Sequence, residues 1–279
     1  IALRSVLYIV LVAMSASFFM PFVWAIVTSL KDPSQVYLYP PVWIPRPIMW
    51  QNWLEVWKLV PLARFFGNTV LVTIFSLLGQ LFSASLVAYG FARFRFPLRT
   101  ALFLLLLSTL MLPAQVTLIP TYLIFRNLGW LDSFKPLVVP AYCGGGAFSI
   151  FLLRQFFMTI PLDLDEAAKI DGCSYVGIYW RIILPLCTPA LAALALFGFL
   201  GHWNDFMGPM IYLNTTDKFT ISIGLNFLRT SGFLAMGRSP ITEHYLMAAA
   251  LISTIPCLIL FVVAQQQMIR GIALTGIKG

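Results

Sequence analysis

The sequence predicts an all-α membrane protein with six transmembrane helices, and three observations predict it. Hydrophobic residues fill 60% of the 279 positions and charged residues 10%, against roughly 45–50% and 25% in an ordinary soluble domain. Six stretches free of Asp, Glu, Lys and Arg cover 5–30, 65–92, 100–125, 136–153, 182–204 and 244–269, each close to or above the ~20 residues that a helix needs to cross hydrocarbon. Segments such as 101–107 and 258–263 are apolar on every side, whereas strands of a membrane barrel alternate apolar and polar over ~10 residues. So few charges cannot cover a soluble globule of this size, and lipid is the main solvent.

Taken in order, the spans lie at about 5–30, 66–92, 100–122, 135–157, 184–206 and 244–268 of a single domain, 1–279. The first lacks a small-residue cleavage site and exceeds a signal-peptide core, so it is expected as a retained helix. Between the first two spans, Pro40, Pro41, Pro45 and Pro47 forbid a continuous helix. Trp50, Trp53 and Trp57 follow at helical spacing and suit a short helix at headgroup level. Pro21, Pro113, Pro120, Pro140, Pro189 and Pro256 promise kinks, and Gly144, Gly145 and Gly146 thin one face of the fourth helix. Such features serve ordinary helix packing or a pathway that opens, and the residues alone leave both open.

Several function classes are excluded. The net charge is +8, yet no basic run interleaved with aromatics marks a nucleic-acid binder. Cys143, Cys173, Cys187 and Cys257 have no C-x-x-C spacing, which argues against a metal site or a disulfide. His202 and His244 stand apart and are expected at the interface; no His-x-x-x-His, G-x-S-x-G or intramembrane carboxylate pair suggests an enzyme. No phosphate-binding G-x-x-x-x-G-K-[ST] is present, so ATP is not bound by this chain. The Lys and Arg residues divide evenly between the two sides, and the positive-inside rule gives no orientation.

The segment 159–185 between the fourth and fifth spans is the richest in local signals. Asp163 is placed to cap a helix, with Glu166 three residues on and Asp165 beside it to complement the helix dipole. Gly172 is placed to end that helix in a left-handed conformation, Ser174 to cap a second one, and Pro185 to bend it into the fifth span. Ala167 and Ala168 leave a flat patch that another backbone can approach, with Glu166 beside it as an ion-pair partner. Physics alone leaves two readings, a knob that docks in a socket or loop helices resting on the bilayer.

Here the sequence resembles a known family. Glu166-Ala167-Ala168, three residues, Gly172, nine residues, Ile182, one residue, Leu184-Pro185 matches E-A-A-x3-G-x9-I-x-L-P of ABC-importer membrane subunits without a mismatch. The resemblance implies that 159–185 is the cytoplasmic coupling-helix loop seated in a cleft of a separate ATPase, with Asp165, Glu166, Ala167, Ala168, Asp171, Gly172, Ile182, Leu184 and Pro185 carrying the coupling. It further implies cytoplasmic termini and a bacterial or archaeal inner membrane. Trp203-Asn204-Asp205-Phe206 resembles the W-N-D/E-F element of carbohydrate-type permeases. The ending 271–279 is similar to the R-G-x-T-x-G-x-x-K-G tail of the maltose-system subunit, with Ile272-Ala273-Leu274 between Gly271 and Thr275 as its departure. That tail would place Thr275, Gly276, Lys278 and Gly279 against the ATPase. The partners implied are a second homologous permease subunit, an ATPase dimer holding ATP and Mg, an extracytoplasmic solute-binding protein and a sugar. The stretch 226–243 is longer than this family leads one to expect, and serves as a binding-protein contact or a plain surface insertion.

A sugar needs hydrogen-bond donors, acceptors and aromatic faces. Candidates along the spans are Asn68, Thr69, Thr73, Gln115, Thr117, Thr121, Tyr122, Asn204 and Asp205. Asp205 suits a cap or an interhelical contact as well as a ligand. Gln80, Ser83 and Ser85 are expected to hold helices together. The charge-free core of each span lacks Arg and Lys, which argues for a neutral sugar over a phosphorylated polyol. The competing reading is an independent secondary transporter of a small polar solute; it would want inverted repeats and buried ionisable residues, and neither stands out.

Overall fold

The structure is a computed structural model that describes the backbone of residues 2–235 and 243–275 and the side chains of 4–230 and 243–265. It is helical throughout, with no strand among the described residues. In chain order the helices are α1 (Ala2–Ser29), α2 (Asn52–Leu59), α3 (Leu62–Arg93), α4 (Arg99–Ser108), α5 (Ala114–Asn127), α6 (Lys135–Val138) and α7 (Ala147–Thr159). They continue with α8 (Asp163–Ile170), α9 (Tyr175–Ile178), α10 (Leu184–Leu186), α11 (Thr188–Trp203), α12 (Met207–Tyr212), α13 (Ile221–Ala235) and α14 (Glu243–Thr275). Among the described residues, four segments are long and apolar enough to cross a membrane: Arg4–Ser29, Leu62–Arg93, Lys135–Thr159 and Glu243–Gln265. The total is six if two bent pairs each count as one span, Arg99–Met111 with Ala114–Asn127 and Tyr175–Leu186 with Thr188–Trp203.

The third and fourth predicted spans are interrupted more sharply than the kinks expected at their prolines. The two parts of the third meet at 100°. Pro113 lacks an N–H and drives the preceding residue out of the helical region, and Leu112 is extended at φ −78°, ψ 118°. In the fourth, Gly144, Gly145 and Gly146 do more than thin a face: all three have positive φ, at 109°, 67° and 87°, and α7 begins after them. At Gly145 a side chain has no room, because an added Cβ would lie 2.3 Å from the Gln80 carbonyl oxygen on α3. The break borders a cavity of about 370 Å³ lined by Gly144, Gly146, Cys143, Thr109 and the apolar faces of α4 and α7. The region 205–243, expected as loop, carries α12 and α13, and 236–242 lies outside the described residues.

The chain divides into two compact units, each described by itself. The first comprises Ile1–Phe66 and Thr220–Pro256. There the Asn52 amide of α2 donates to the carbonyls of Ser29 at 2.9 Å and Lys31 at 3.0 Å. The Trp53 indole reaches the Ser29 hydroxyl, and Tyr245 donates to Glu55. Lys31 lies over the Trp24 ring at 4.0 Å, and His244 is fully buried where an interfacial position was expected.

The second unit comprises Gly67–Phe219 and Cys257–Gly279. Its core gathers Ala84, Ala88, Ile150, Leu153, Phe157, Ile178, Tyr179 and Leu194. Ala84 and Ala88, one turn apart on α3, let neighbouring backbone come close, as membrane helix packing requires. Polar side chains add short cross-links: Gln80 donates to Ser149 at 2.9 Å, Ser83 to the Ala141 carbonyl at 2.7 Å, and Ser85 pairs with Tyr179 at 2.7 Å. Each such bond stabilises a membrane bundle by about 0.6 kcal/mol on average.

Candidate functional site

The 159–185 segment folds as helix, turn, helix. Leu162 already has helical φ −68°, ψ −23° and takes the N-cap position, so Asp163 is the first helical residue and makes no capping hydrogen bond. Asp163, Asp165 and Glu166 all lie in the first turn of α8, where each carboxylate stabilises the helix by roughly 0.3–1 kcal/mol. The helix closes with a Schellman motif: Gly172 at φ 80° donates to the Lys169 carbonyl at 3.0 Å and Cys173 to the Ala168 carbonyl at 2.8 Å. Ser174 caps α9, its hydroxyl accepting from the Gly177 N–H at 3.2 Å. A π-helical turn at Tyr179–Ile183 and α10 follow, and the chain then bends by 77° into α11. The bend falls at Cys187, two residues past Pro185, with Pro189 in the first turn of α11.

Helical periodicity sorts the signature residues onto two faces. Asp165 and Ala168 are buried; Asp163, Glu166, Ala167, Lys169, Asp171 and Gly172 are exposed. Of the expected flat alanine patch, Ala167 faces outward while Ala168 packs into the core with Ile178 and Tyr179. The outward face also carries Leu164 and Ile170, the latter 87% exposed, with Val176 nearby in sequence at 66%. Ile182 and Leu184 pack against the core, and Pro185 is exposed.

Asp165 meets Arg93, the last residue of α3, with Nε to Oδ2 at 3.2 Å and both side chains under a tenth exposed. Arg93 Nη1 donates at 3.1 Å to the carbonyl of Ile160, the C-cap residue that follows α7. Burial pushes the Asp165 carboxyl above the usual carboxylate range, and the Arg93 and Lys169 charges oppose that rise. Removing one partner of such a buried pair costs about 3–5 kcal/mol, because the other charge is left uncompensated. Nothing in the residue pattern singles out Arg93 beyond its place at the end of a span; the i, i+3 spacing of Asp165 and Ala168 on one helix face is the signal that an internal partner exists.

The candidate path residues are dispersed rather than gathered. The half-buried Asn68 gives its amide to the carbonyls of Asp217 and Phe219, each at 2.9 Å, and Thr69 is buried. Gln115 is exposed on α5, while Tyr122 stacks on Tyr212 at 6.5 Å. Asn204 donates to the Leu200 carbonyl. Asp205 accepts from the Gly208 N–H at 3.1 Å, which is a cap on α12. Gln80, expected to hold helices together, joins His202 at 2.9 Å as well as Ser149, so three helices share one amide. Arg154 lies within the predicted 135–157 span and stacks on Phe103 at 4.1 Å, an exception to the expected absence of cations there. Gly276, Lys278 and Gly279 of the predicted tail lie outside the described residues, and Thr275 ends the described backbone.

Residues 80–273, well over half of the chain, match the family model of the binding-protein-dependent transport system inner membrane component. The chain belongs to that family. The permease is 34% identical over 259 residues to the sn-glycerol-3-phosphate transport system permease protein UgpE of Yersinia pestis bv. Antiqua (strain Antiqua), covering 90% of this chain and 89% of that one. It is 34% identical over 217 residues to the arabinooligosaccharides transport system permease protein AraQ of Halalkalibacterium halodurans, covering 77% and 74%. Among solved structures it superposes on a chain from a bacterial ABC transporter involved in the import of the acidic polysaccharide alginate, with TM-score 0.81, 25% identity and coverage of 95% and 96%. Arg93, the 159–185 loop and the Gln80–His202 junction all fall within the stretch of the permease that the family model matches.

Proposed function

We propose that this permease is the transmembrane subunit of an ATP-driven sugar importer and forms half of the translocation path with a second homologous subunit. In this reading the 163–185 loop is the coupling element of a separate ATPase dimer that holds ATP and Mg. Both termini are cytoplasmic, and cargo arrives from an extracytoplasmic solute-binding protein. The observation that carries the reading is the outward face of α8. Glu166 and Ala167 stand exposed on a helix closed by a Schellman motif, flanked by Leu164 and the almost wholly exposed Ile170. An apolar rim around one carboxylate, outside the spans, suits a protein socket with a basic residue at its centre.

The names of the relatives support a saccharide or polyol cargo, and they differ in its charge: glycerol 3-phosphate, arabinooligosaccharides and alginate. A neutral sugar fits this chain best, since Arg154 is stacked on a ring rather than presented to a ligand. The test is gentle purification of the tagged chain from its native membrane, with the co-purifying proteins identified by mass spectrometry. A related permease, an ATPase and a solute-binding protein are expected, and Glu166→Arg is expected to lose the ATPase while still inserting. Recovery of this chain alone, transporting after reconstitution without ATP, would overturn the reading in favour of a secondary carrier.

A further inference from the structure

Four carboxylates sit on or just after α8: Asp163, Asp165, Glu166 and Asp171. Three are exposed, and Asp165 alone of these is turned inward. Its partner Arg93 links three elements: it ends α3, and its guanidinium donates to the carbonyl of Ile160 at the end of α7 and faces the first turn of α8. The contact is incomplete. Arg93 Nη2 and Asp165 Oδ1 are both buried without a hydrogen-bond partner, and Nε approaches Oδ2 without an aligned hydrogen bond. A guanidinium and a carboxylate can join fork to fork through two parallel bonds, so the pair as it stands uses one point of contact where two are available. A small displacement of α8 is enough to open or close the second, which gives the contact two discrete settings, the property that transmission between sites requires.

We propose that Arg93 and Asp165 form the joint through which movement of the loop helix reaches α3 and α7, with Asp165 a positioning residue that does not touch the ATPase. This rests on the reading of 163–185 as the coupling element and deepens it. The loop helix then carries one acid for each side of the relay, Glu166 outward to the motor and Asp165 inward to its own chain.

The test uses the assembled importer, with partner permease, ATPase and solute-binding protein, in proteoliposomes, and reads sugar taken up per ATP hydrolysed. Asp165→Asn is close in shape and removes the charge. It is expected to co-purify with the ATPase as the parent does, while uptake per ATP falls about tenfold, the scale of ~1.4 kcal/mol of lost coupling between contacting residues. Asp165→Glu is expected to recover most of the ratio. Arg93→Lys, which keeps the charge without the fork, is expected to fall between. A merely structural role would lower the yield of complex without changing the ratio. An unchanged ratio in both Asp165→Asn and Arg93→Lys would overturn the joint. Loss of the ATPase on Asp165→Asn would also overturn it, by placing Asp165 at the docking face. Normal uptake and assembly in Glu166→Arg would instead count against the coupling reading itself, so the two failures are distinguishable.

Discussion

Replacing Gly172 tests how the loop helix is ended, and its expected magnitude follows from the structure. The residue has φ 80°, and a Cβ added there would meet nothing within 4 Å. Steric contact with the surroundings therefore contributes nothing, and what remains is the left-handed backbone, which costs a residue with a Cβ about 1–2 kcal/mol. That is a factor of roughly 5–30 in the equilibrium between closed and open turn. The Cys173 amide reports it directly, since its N–H donates to the Ala168 carbonyl at 2.8 Å, the bond of the Schellman motif that spans more of the chain. Hydrogen exchange followed by mass spectrometry should show its protection falling ~5–30-fold in Gly172→Ala, less in Gly172→Asn because Asn tolerates this region, and more in Gly172→Val because branching at Cβ worsens it. If Gly172→Asn lost as much as Gly172→Val, or Gly172→Ala lost nothing, the left-handed backbone would not be what constrains the position.

Two further outcomes are expected. Asn68→Ala should lower the thermal stability of the complex and leave the KM for transported sugar unchanged, because its amide is engaged by the Asp217 and Phe219 carbonyls; a raised KM in uptake assays would return it to the substrate path. Asp132 accepts from Lys218 at 2.7 Å and from the Asn214 and Thr215 amides, and Lys218 foremost holds its carboxyl well below the usual carboxylate range. A depressed pKa contributes stability that is complete above the unperturbed value of 3.8 and is lost as pH falls below it. The Asn214 and Thr215 amides should thus lose protection, corrected for intrinsic rates, on acidification, and Asp132→Asn should flatten that dependence; an identical profile in the variant would sink the assignment.

Local chemistry was legible in the sequence where it is decided locally. Gly172 and Ser174 do what their residue types dictate, because a positive φ and a hydroxyl cap involve only neighbours within a few residues. That the chain is a series of apolar helices was legible for the same reason. Two kinds of feature were not. The prolines promised kinks, but hydropathy cannot distinguish a kinked span from one broken outright at Pro113 or Gly144, since the flanking residues are equally apolar on either side of the break. Nor does composition say which of two adjacent acids turns inward: Asp165 and Glu166 differ by one helical step, and only the position of Arg93, more than seventy residues earlier, decides between them. The candidate path suffered likewise, because Asn68, Asn204 and Asp205 are engaged by backbone groups that a residue list does not contain.

The three-glycine break changes what mutagenesis can see. Irregular backbone at membrane depth persists only where protein buries it or water reaches it, and Gly144 and Gly146 border a cavity whose other walls are mostly apolar. The wettable part of that cavity is the main chain and the Thr109 hydroxyl. A scan that truncates side chains around it would remove carbon and leave the peptide dipoles in place, so this stretch would score as inert while still setting the local polarity. Backbone chemistry, such as amide-to-ester exchange at the glycine linkages, is the perturbation to which it would answer.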